Sequence, residues 1–350
     1  MSLKIGIVGL PNVGKSTLFN ALLKKSQALS ANYPFATIEP NVGIVPVPDH
    51  RLDELAKIYN PPSIIPATIE FVDIAGLVKN ASKGEGLGNQ FLSHIREVNA
   101  IVHVLREFGD DNVIHVEGRV DPTEDMKIIT TELLLADLSA LEKAKRPIKG
   151  AAPKEEVQRQ AVIEKAYQAV ESEDIAALQL LSEDEKALIR DINLLSLKPV
   201  IYVHNVDENQ LAQPHPLPPG HIHVNAQLEA ELSALTEEEQ SEYLKDLGIT
   251  QSGLDQVIQA GYEILNLMSF LTAGEKEVRA WTITRGTKAP QAAGEIHSDF
   301  ESKFIRAEVI NWQDLVNAGS WAEAKSKGQV RMEGKDYVVQ DGDVVVIHHS

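Results

Sequence analysis

The chain has 350 residues, no cysteine and a formal net charge of −18 at pH 7. The lack of cysteine excludes disulfides, thiolate metal ligands and a cysteine nucleophile, and the negative charge argues against attraction of nucleic acid to the whole surface. No apolar run approaches the roughly 20 residues that a membrane-spanning helix needs, and no leader-like segment precedes the first strand. We therefore expect a cytoplasmic protein of two or three domains, with neither a membrane nor DNA as a partner.

The first predicted elements are a short apolar strand, Lys4–Val8, a glycine-containing loop and a helix-type stretch from Thr17. The loop reads GLPNVGKS (9–16) and matches the phosphate-binding motif GxxxxGKS in the strand–loop–helix context that the motif requires. Backbone N–H groups of such a loop surround phosphate oxygens, and the helix N-terminus adds partial positive charge. Lys15 is expected to reach the β- and γ-phosphates and Ser16 to bind Mg²⁺. The chain is therefore predicted to bind a nucleoside triphosphate.

Two segments downstream have the positions of nucleotide switch loops. Thr37, in YPFAT, can offer its hydroxyl to Mg²⁺ in the triphosphate state. Asp73 and Gly76 belong to a DxxG that begins at the last residue of the predicted strand 68–73. We expect Asp73 to bind Mg²⁺ through water and the Gly76 amide to sense the γ-phosphate. Leu77 stands where Ras-like proteins carry a water-positioning glutamine, so intrinsic hydrolysis is expected to be slow.

Two residues are candidates for promoting hydrolysis in the absence of that glutamine. His115, in NVIHVEG (112–118), is a candidate catalytic residue, although a single histidine is more often structural. Asn12, just before Val13-Gly14-Lys15, is a candidate for holding a K⁺ ion in the role of an arginine finger.

The middle of the chain changes its hydrophobic period. From 131 to 198 apolar residues recur at helical spacing on both sides of a turn-rich stretch at 145–153, which predicts a coiled-coil-like helical hairpin insertion. The flanking segments, 1–130 and 199–266, alternate strands and helices, as in an α/β fold with a mostly parallel sheet. From 267 to 350 short strands and helices predict a small α+β unit.

The strand Pro199–His204 is followed by a departure from the GTPase pattern Asn-Lys-x-Asp. Here the residues are Asn205-Val206-Asp207-Glu208, so the lysine is replaced and the last carboxylate is one methylene longer. Guanine loses the geometry that its N1–H and 2-amino groups need, and an adenine amino group becomes the expected donor. One misplaced polar group can shift specificity by orders of magnitude, so ATP is favoured over GTP. Asn225-Ala226 loosely matches a fifth, base-contacting motif.

Together these residues resemble the YchF/Obg-like ATPase family, a branch of the translation-factor class of P-loop NTPases. The matching segments span essentially the whole chain: 9–22, 32–49, 72–97, 115–122 and 205–208, with 273–283, 286–297 and 334–345 similar to the family's TGS (β-grasp-like) domain. The resemblance implies a G-type domain, the helical hairpin, a C-terminal TGS domain and association with the ribosome in translation or stress regulation. It further implies a role for His115 in hydrolysis, Mg²⁺ on Ser16 and Thr37, and nucleotide contacts at Asn12, Val13, Gly14, Lys15, Ser16, Thr17 and Val206. Ala36, Asn80 and Asn225 depart from the family pattern.

Three functions are compatible with these patterns. The first is a slow, Mg²⁺-dependent ATPase that acts as a switch, the second is an ATP-gated ribosome adaptor with incidental turnover, and the third is an Obg-type GTPase. The C-terminal unit adds one open question. Its basic residues near Trp281 form either a patch facing ribosomal RNA or a mixed solvated surface: Arg279, Arg285, Lys288, Lys303 and Arg306.

Overall fold

Two six-stranded sheets and a helical hairpin organise the chain. The computed structural model describes residues 3–30, 41–74, 87–110, 119–147 and 153–350. The sequence-based predictions for Thr37, Gly76, Leu77 and His115 lie outside these described residues.

The strands are β1 Lys4–Val8, β2 Val42–Pro46, β3 Ile64–Ile65, β4 Thr68–Asp73, β5 Ala100–Arg106, β6 Val200–Asn205, β7 His221–Val224, β8 Leu267–Ala273, β9 Val278–Thr284, β10 Phe304–Asn311, β11 Arg331–Glu333 and β12 Asp343–His349. The helices are α1 Lys15–Ser30, α2 His50–Tyr59, α3 Leu87–Glu97, α4 Pro122–Ala144, α5 Lys154–Glu171, α6 Ile175–Gln179, α7 Glu183–Leu188, α8 Glu208–Ala212, α9 Ala226–Leu232, α10 Glu237–Asp246, α11 Gly253–Ile264, α12 Ala289–Ile296, α13 Ser298–Ser302, α14 Trp312–Ala318 and α15 Trp321–Ser326, with a 3₁₀ turn at Arg190–Ile192.

The first sheet has the strand order β2-β4-β1-β5-β6-β7. Only the β2–β4 pairing is antiparallel; the other four pairings are parallel. Every residue of β5 is buried, as expected of a central parallel strand that is covered on both faces. Helices α1 and α11 contribute to the core on one face, and α3 and α4 contribute to the core on the other. The predicted α/β fold with a mostly parallel sheet is confirmed.

The helical hairpin begins inside the α/β unit. Asp121 caps α4 by accepting from the Glu124 amide, and Pro122 occupies the first turn, where its missing N–H costs nothing. Leu133 then packs with the core beneath the first sheet, whereas the next residue, Leu134, packs with α5 to α7 in a separate core. The predicted boundary at residue 131 therefore falls within a continuous helix of 23 residues.

The second sheet has the order β11-β10-β12-β8-β9-β3. One of its two edge strands, β3, comes from the N-terminal half of the chain and pairs parallel to β9. Leu55 of α2, Leu271 of β8 and Leu315 of α14 belong to the same hydrophobic cluster as the first sheet. The C-terminal sheet therefore shares part of its core with the α/β unit, while Met268, Phe270 and Ile283 pack with α12 in a separate cluster. None of the described helices is both long and apolar enough to cross a bilayer.

Candidate nucleotide-binding site

The glycine loop lies between β1 and α1 and contacts β5 and β6. Gly9 and Gly14 adopt φ values of +149° and +99°, which side-chain-bearing residues rarely do. A Cβ on Gly9 would lie 2.5 Å from the Val104 carbonyl oxygen, and one on Gly14 would lie 2.2 Å from Asn205 Nδ2. Both positions therefore need glycine for conformation and for space.

Lys15 begins α1 and is buried under the loop that precedes it. Its ammonium donates a hydrogen bond to the Leu10 carbonyl, which holds the side chain against the loop. Ser16 and Thr17 follow at the helix N-terminus and are exposed. This arrangement places a cation, two hydroxyls and the first N–H groups of a helix at one point, as phosphate binding requires.

A cavity of about 630 Å³ opens over this point. Its lining includes Asn12, Gly14, Lys15, Ser16 and Thr17, together with Phe91 and Leu92 of α3 and Glu132 of α4. Clefts of about 990 and 1060 Å³ lie on the helical hairpin, but neither is lined by residues of the glycine loop. The smaller cavity is therefore the candidate site, because it alone of these three joins the volume of a ligand to a phosphate cradle.

Asp73 ends β4, the strand beside β1. It is buried and pairs with Ile7 in the parallel register, one residue before the end of β1. Its backbone N–H donates to the Asn41 carbonyl at 3.0 Å. The carboxyl ends of β1 and β4 therefore meet at the same edge, and the two described candidates for Mg²⁺ binding, Ser16 and Asp73, both lie there.

Asn205 joins the end of β6 to the glycine loop. Its Nδ2 donates to the Val13 carbonyl at 3.0 Å, and its Oδ1 accepts from the Ala226 amide at 3.0 Å. Both ends of the buried amide are thus engaged by the backbone. Asn205 therefore shapes the site from beneath, a geometry that its position in the base-reading motif did not indicate.

The residues after Asn205 separate into buried and accessible positions. Val206 is buried and its amide donates to the Val224 carbonyl at 2.9 Å. Asp207 accepts from the Gly109 amide at 3.1 Å and so holds the end of β5 against this segment. Glu208 begins α8 and is exposed. Of the two carboxylates in the motif, Glu208 is therefore the more accessible to a base.

Asn225, which departs from the family pattern, has a structural position. Its Oδ1 accepts from the Leu228 amide at 2.8 Å and caps α9, while its Nδ2 donates to the Val206 carbonyl at 3.0 Å. Asn225 thus fixes the backbone of the base-reading segment. An asparagine is one of the favoured N-cap residues, so the departure preserves helix capping.

His103, in the middle of β5, was missed by the sequence analysis. Burial, reinforced by the positive charge of Lys15 and by His204, lowers the pKa of His103 to about 3. Its Nε2 has no hydrogen-bond partner among the described residues. A neutral imidazole therefore lies within the electrostatic reach of Lys15. A buried-strand pattern gives no signal for such a residue, because histidine there reads as one more core position.

The basic residues of the C-terminal sheet are largely engaged with other side chains. Lys288 pairs with Asp336 at 2.9 Å and Lys303 with Asp299 at 3.0 Å. The Arg279 guanidinium lies 4.0 Å from the centroid of the Trp281 ring. These contacts are those of a mixed-charge surface, and a patch for ribosomal RNA stays a prediction.

Comparisons with known proteins cover nearly the whole chain. A family profile described as "50S ribosome-binding GTPase" matches residues 4–132, and the profile YchF-GTPase_C, described as "Protein of unknown function (DUF933)", matches residues 267–350. Proteins called "Ribosome-binding ATPase YchF" from Bacillus subtilis and Escherichia coli O157:H7 are each 50% identical to this chain, over 361 and 358 residues. Each of these alignments covers 99% of this chain and 98% of the relative.

A solved structure gives the same result. The Schizosaccharomyces pombe structure described as a YchF GTPase superposes with a TM-score of 0.90 at 42% identity, covering 99% of this chain and 98% of that one. Agreement over nearly the whole length, in sequence and in fold, confirms the resemblance. The chain belongs to the YchF family of P-loop NTPases.

Proposed function

We propose that the chain is a ribosome-associated, Mg²⁺-dependent ATPase that hydrolyses ATP slowly and acts in the cytoplasm as a switch in translation or stress regulation. The names of the bacterial relatives support the activity and the ribosome as partner. The observation that carries the choice of nucleotide is that Glu208 is exposed whereas Val206, two residues before it, is buried. Asn205 holds this segment against the glycine loop.

The phosphate end of the site fits Mg²⁺. The Ser16 hydroxyl and the Asp73 carboxylate are the oxygen donors that this ion prefers, and Thr37 is proposed as a third. When bound, Mg²⁺ neutralises charge on the β- and γ-phosphates. Lys15 adds a second positive charge, and the N–H groups from Val13 to Thr17 surround the phosphate oxygens.

Other residues complete the proposal. His115 orients the attacking water, the Gly76 amide senses the γ-phosphate, and Asn12 contributes to a K⁺ site. We also assign residues 1–130 and 199–266 to the G-type domain, 131–198 to the helical hairpin and 267–350 to the TGS domain. The separate core of the hairpin supports the second of these assignments.

The relatives' names divide between ATPase and GTPase. We therefore infer the nucleotide from the base-reading segment. With Val206 buried, this position offers no lysine stem to pack along a guanine ring. Glu208 offers a carboxylate that accepts from the adenine amino group. An Obg-type GTPase is the second candidate, because the profile matched at residues 4–132 is described as a GTPase.

The decisive experiment is a titration of the full chain with fluorescent ATP and GTP analogues in Mg²⁺ and K⁺, with unlabelled competitors. We expect ATP to bind more tightly. Glu208→Ala should weaken ATP about tenfold to a hundredfold, the loss of one hydrogen bond to a charged group. Glu238→Ala, an exposed carboxylate in the first turn of α10, is the matched control and should leave affinity unchanged. GTP preference in the unmodified chain would sink the ATP assignment.

A second variant tests the same reasoning in reverse. Val206→Lys combined with Glu208→Asp restores the guanine-reading pattern and should move preference towards GTP. If it still ignores GTP, the account of the base reader is wrong.

An ATP-gated adaptor is distinguished from a switch by turnover. We expect His115→Ala to bind ATP and ribosomes in co-sedimentation but to lose ribosome-stimulated phosphate release. If cells carrying only that variant grow normally, hydrolysis is incidental and the chain is an adaptor.

A further inference from the structure

A cluster of histidines and one glutamate lies across β5, β6 and β7, close to the base-reading segment. Glu107 follows β5, His204 is in β6, His221 and His223 are in β7, and His215 is in the loop 213–220. The rings of His215 and His223 have centroids 4.5 Å apart, and those of His204 and His221 are 5.1 Å apart. Nothing in the nucleotide chemistry uses these side chains.

Three members of the cluster have the arrangement of metal ligands. Glu107, His215 and His223 each offer one ligand atom, and these atoms lie within 4.8 Å of one another. His215 Nδ1 is 3.3 Å from His223 Nε2, and His215 Nε2 is 3.8 Å from Glu107 Oε2. Ligands at about 2.0 Å from a tetrahedral Zn²⁺ are roughly 3.3 Å apart. The two nitrogens of His215 face different partners, so binding of one ion through a single nitrogen requires the ring to reorient.

The remaining histidines act as outer partners of the kind that metal sites use. His204 Nδ1 is hydrogen-bonded to Glu107 Oε1 at 2.7 Å, and His204 Nε2 to His221 Nδ1 at 2.8 Å. His221 is in turn stacked on Tyr202 at 4.6 Å. A ligand carboxylate is typically oriented by such a hydrogen bond. One Glu107 oxygen is thus held by His204, while the other faces His215.

The backbone also holds the three candidate ligands in place. The Glu107 amide donates to the Asn205 carbonyl at 2.9 Å, and His223 pairs with His204 in the parallel register. His215 stands between Pro214 and Pro216, whose rings restrict the loop. Its side chain is 49% exposed, whereas that of Glu107 is 14% exposed. Such a site is closed on the protein side and open to water on the other.

We propose that Glu107, His215 and His223 form a binding site for a divalent transition-metal ion, with Zn²⁺ as the ion it takes and water in the fourth position. Two imidazoles and one carboxylate suit Zn²⁺, whereas Mg²⁺ and Ca²⁺ prefer oxygen ligands alone. The alternative is a metal-free hydrogen-bonded cluster. The exposed His215 favours the metal, because a partly solvated ring with no ion gains little from lying against another imidazole.

The experiment is titration of the full, chelator-treated chain with Zn²⁺ in competition with a chromophoric indicator. We expect one equivalent to bind. Glu107→Gln and His223→Gln should each weaken binding at least tenfold, and His204→Gln about tenfold through the orientation of Glu107. His94→Gln is the matched control: His94 lies 3.8 Å from Glu97 on α3, another histidine–glutamate pair, and its loss should change nothing.

His215→Gln keeps the test decisive if the strand variants unfold, because its loop is exposed and no strand depends on it. Zinc-edge absorption should show nitrogen and oxygen ligands at about 2.0 Å. Binding that is unaffected by His215→Gln and Glu107→Gln, or the absence of a saturable equivalent, would overturn the site. No nucleotide is needed, so this result is independent of the ATP assignment.

Discussion

The helical hairpin and the C-terminal sheet are attached to the α/β unit in opposite ways. The hairpin is tethered by a continuous helix, α4, and has a core of its own built around Leu141 and Ile163. The C-terminal sheet receives β3 from the N-terminal half and shares a hydrophobic cluster with the first sheet.

This difference teaches that position in the chain does not decide mechanical independence. The hairpin interrupts the α/β unit in sequence, yet from Leu134 onwards its apolar residues pack in a core separate from that unit. The C-terminal sheet follows it in sequence yet cannot separate without uncovering Leu55 and its neighbours. A nucleotide-driven change is therefore expected to move the hairpin relative to a body made of both sheets.

Paired core truncations give the largest expected effect. Leu55 and Leu141 are both fully buried, so Leu55→Ala and Leu141→Ala should each cost about 2–5 kcal/mol. The chain's three tryptophans, Trp281, Trp312 and Trp321, lie in the C-terminal unit. Denaturation followed by tryptophan fluorescence should shift for Leu55→Ala, whereas Leu141→Ala should shift only the helical circular dichroism signal.

Leu180→Ala is the control for that pair, because Leu180 is 81% exposed in the hairpin. It should stay within about 0.5 kcal/mol of the unmodified chain. The comparison breaks if Leu141→Ala lowers the fluorescence midpoint as much as Leu55→Ala does.

Acidification should next distinguish the hairpin from the body made of both sheets. The pKa of His103 is lowered to about 3 by burial, so below pH 6.5 the unfolded chain takes up a proton that the folded chain refuses. Stability is therefore lost as pH falls, by about 1.4 kcal/mol per pH unit, or about 2 kcal/mol between pH 6.5 and 5. His103→Leu should remove this loss from the fluorescence-detected transition.

The hairpin offers the contrasting group. Burial raises the pKa of Asp137, although Ser196 and the Leu195 amide donate hydrogen bonds to it. A carboxyl group whose pKa is raised in the folded state makes the folded protein more stable as pH falls. The helical signal from the hairpin should thus be retained at pH 5. If the fluorescence-detected transition of His103→Leu lost as much stability between pH 6.5 and 5 as that of the unmodified chain, the burial argument would be contradicted.

The link between α2 and the C-terminal sheet has a smaller expected effect. Arg51 donates to Asp341 at 2.9 Å and to both oxygens of Asp49 at 2.7 Å. A double-mutant cycle of Arg51→Gln with Asp341→Asn should give a coupling of about 1 kcal/mol in the fluorescence-detected transition. A coupling near zero would mean that the shared apolar core alone joins the two parts.

The smallest expected effect is on the hairpin surface. Arg159 donates to both oxygens of Asp191, at 2.7 and 2.8 Å, and also to the Leu188 carbonyl. Because this pair is largely exposed, Arg159→Gln should cost about 0.5 kcal/mol, less in high salt. Only the dichroism transition should move, and a shift in tryptophan fluorescence would argue against the hairpin's independence.

The sequence was sufficient where the signal is local. The glycine loop, its strand and its helix form a contiguous run, so Gly9 to Ser16 could be placed without knowing the rest of the fold. Residues brought together from distant segments could not be placed in this way. Asn205 reads as a base contact, but its amide bonds the Val13 carbonyl, and no pattern in either segment encodes that pairing.

The junction between the α/β unit and the hairpin is a second feature without a local signal. Leu133 and Leu134 are adjacent in one regular helix yet belong to different cores, so hydrophobic periodicity carries no mark at the transition. The two-residue strand β3 is too short to show alternation, and Ile64 is exposed. Glu107 follows β5 and His223 is the last residue but one of β7, near the strand ends where ligand-binding side chains tend to lie. Only the order of the strands shows that these two residues are neighbours.

The shared core also constrains how the protein is made. A nascent chain that has folded its first sheet still presents the apolar face of α2 to water until residues 267–350 emerge. At about 5–20 residues per second, translating that stretch takes roughly 4 to 17 s. During this interval Leu55 and its neighbours are available to holdase chaperones and to other unfinished chains. Slowing translation near residue 267 should therefore increase aggregation more than slowing it within the hairpin.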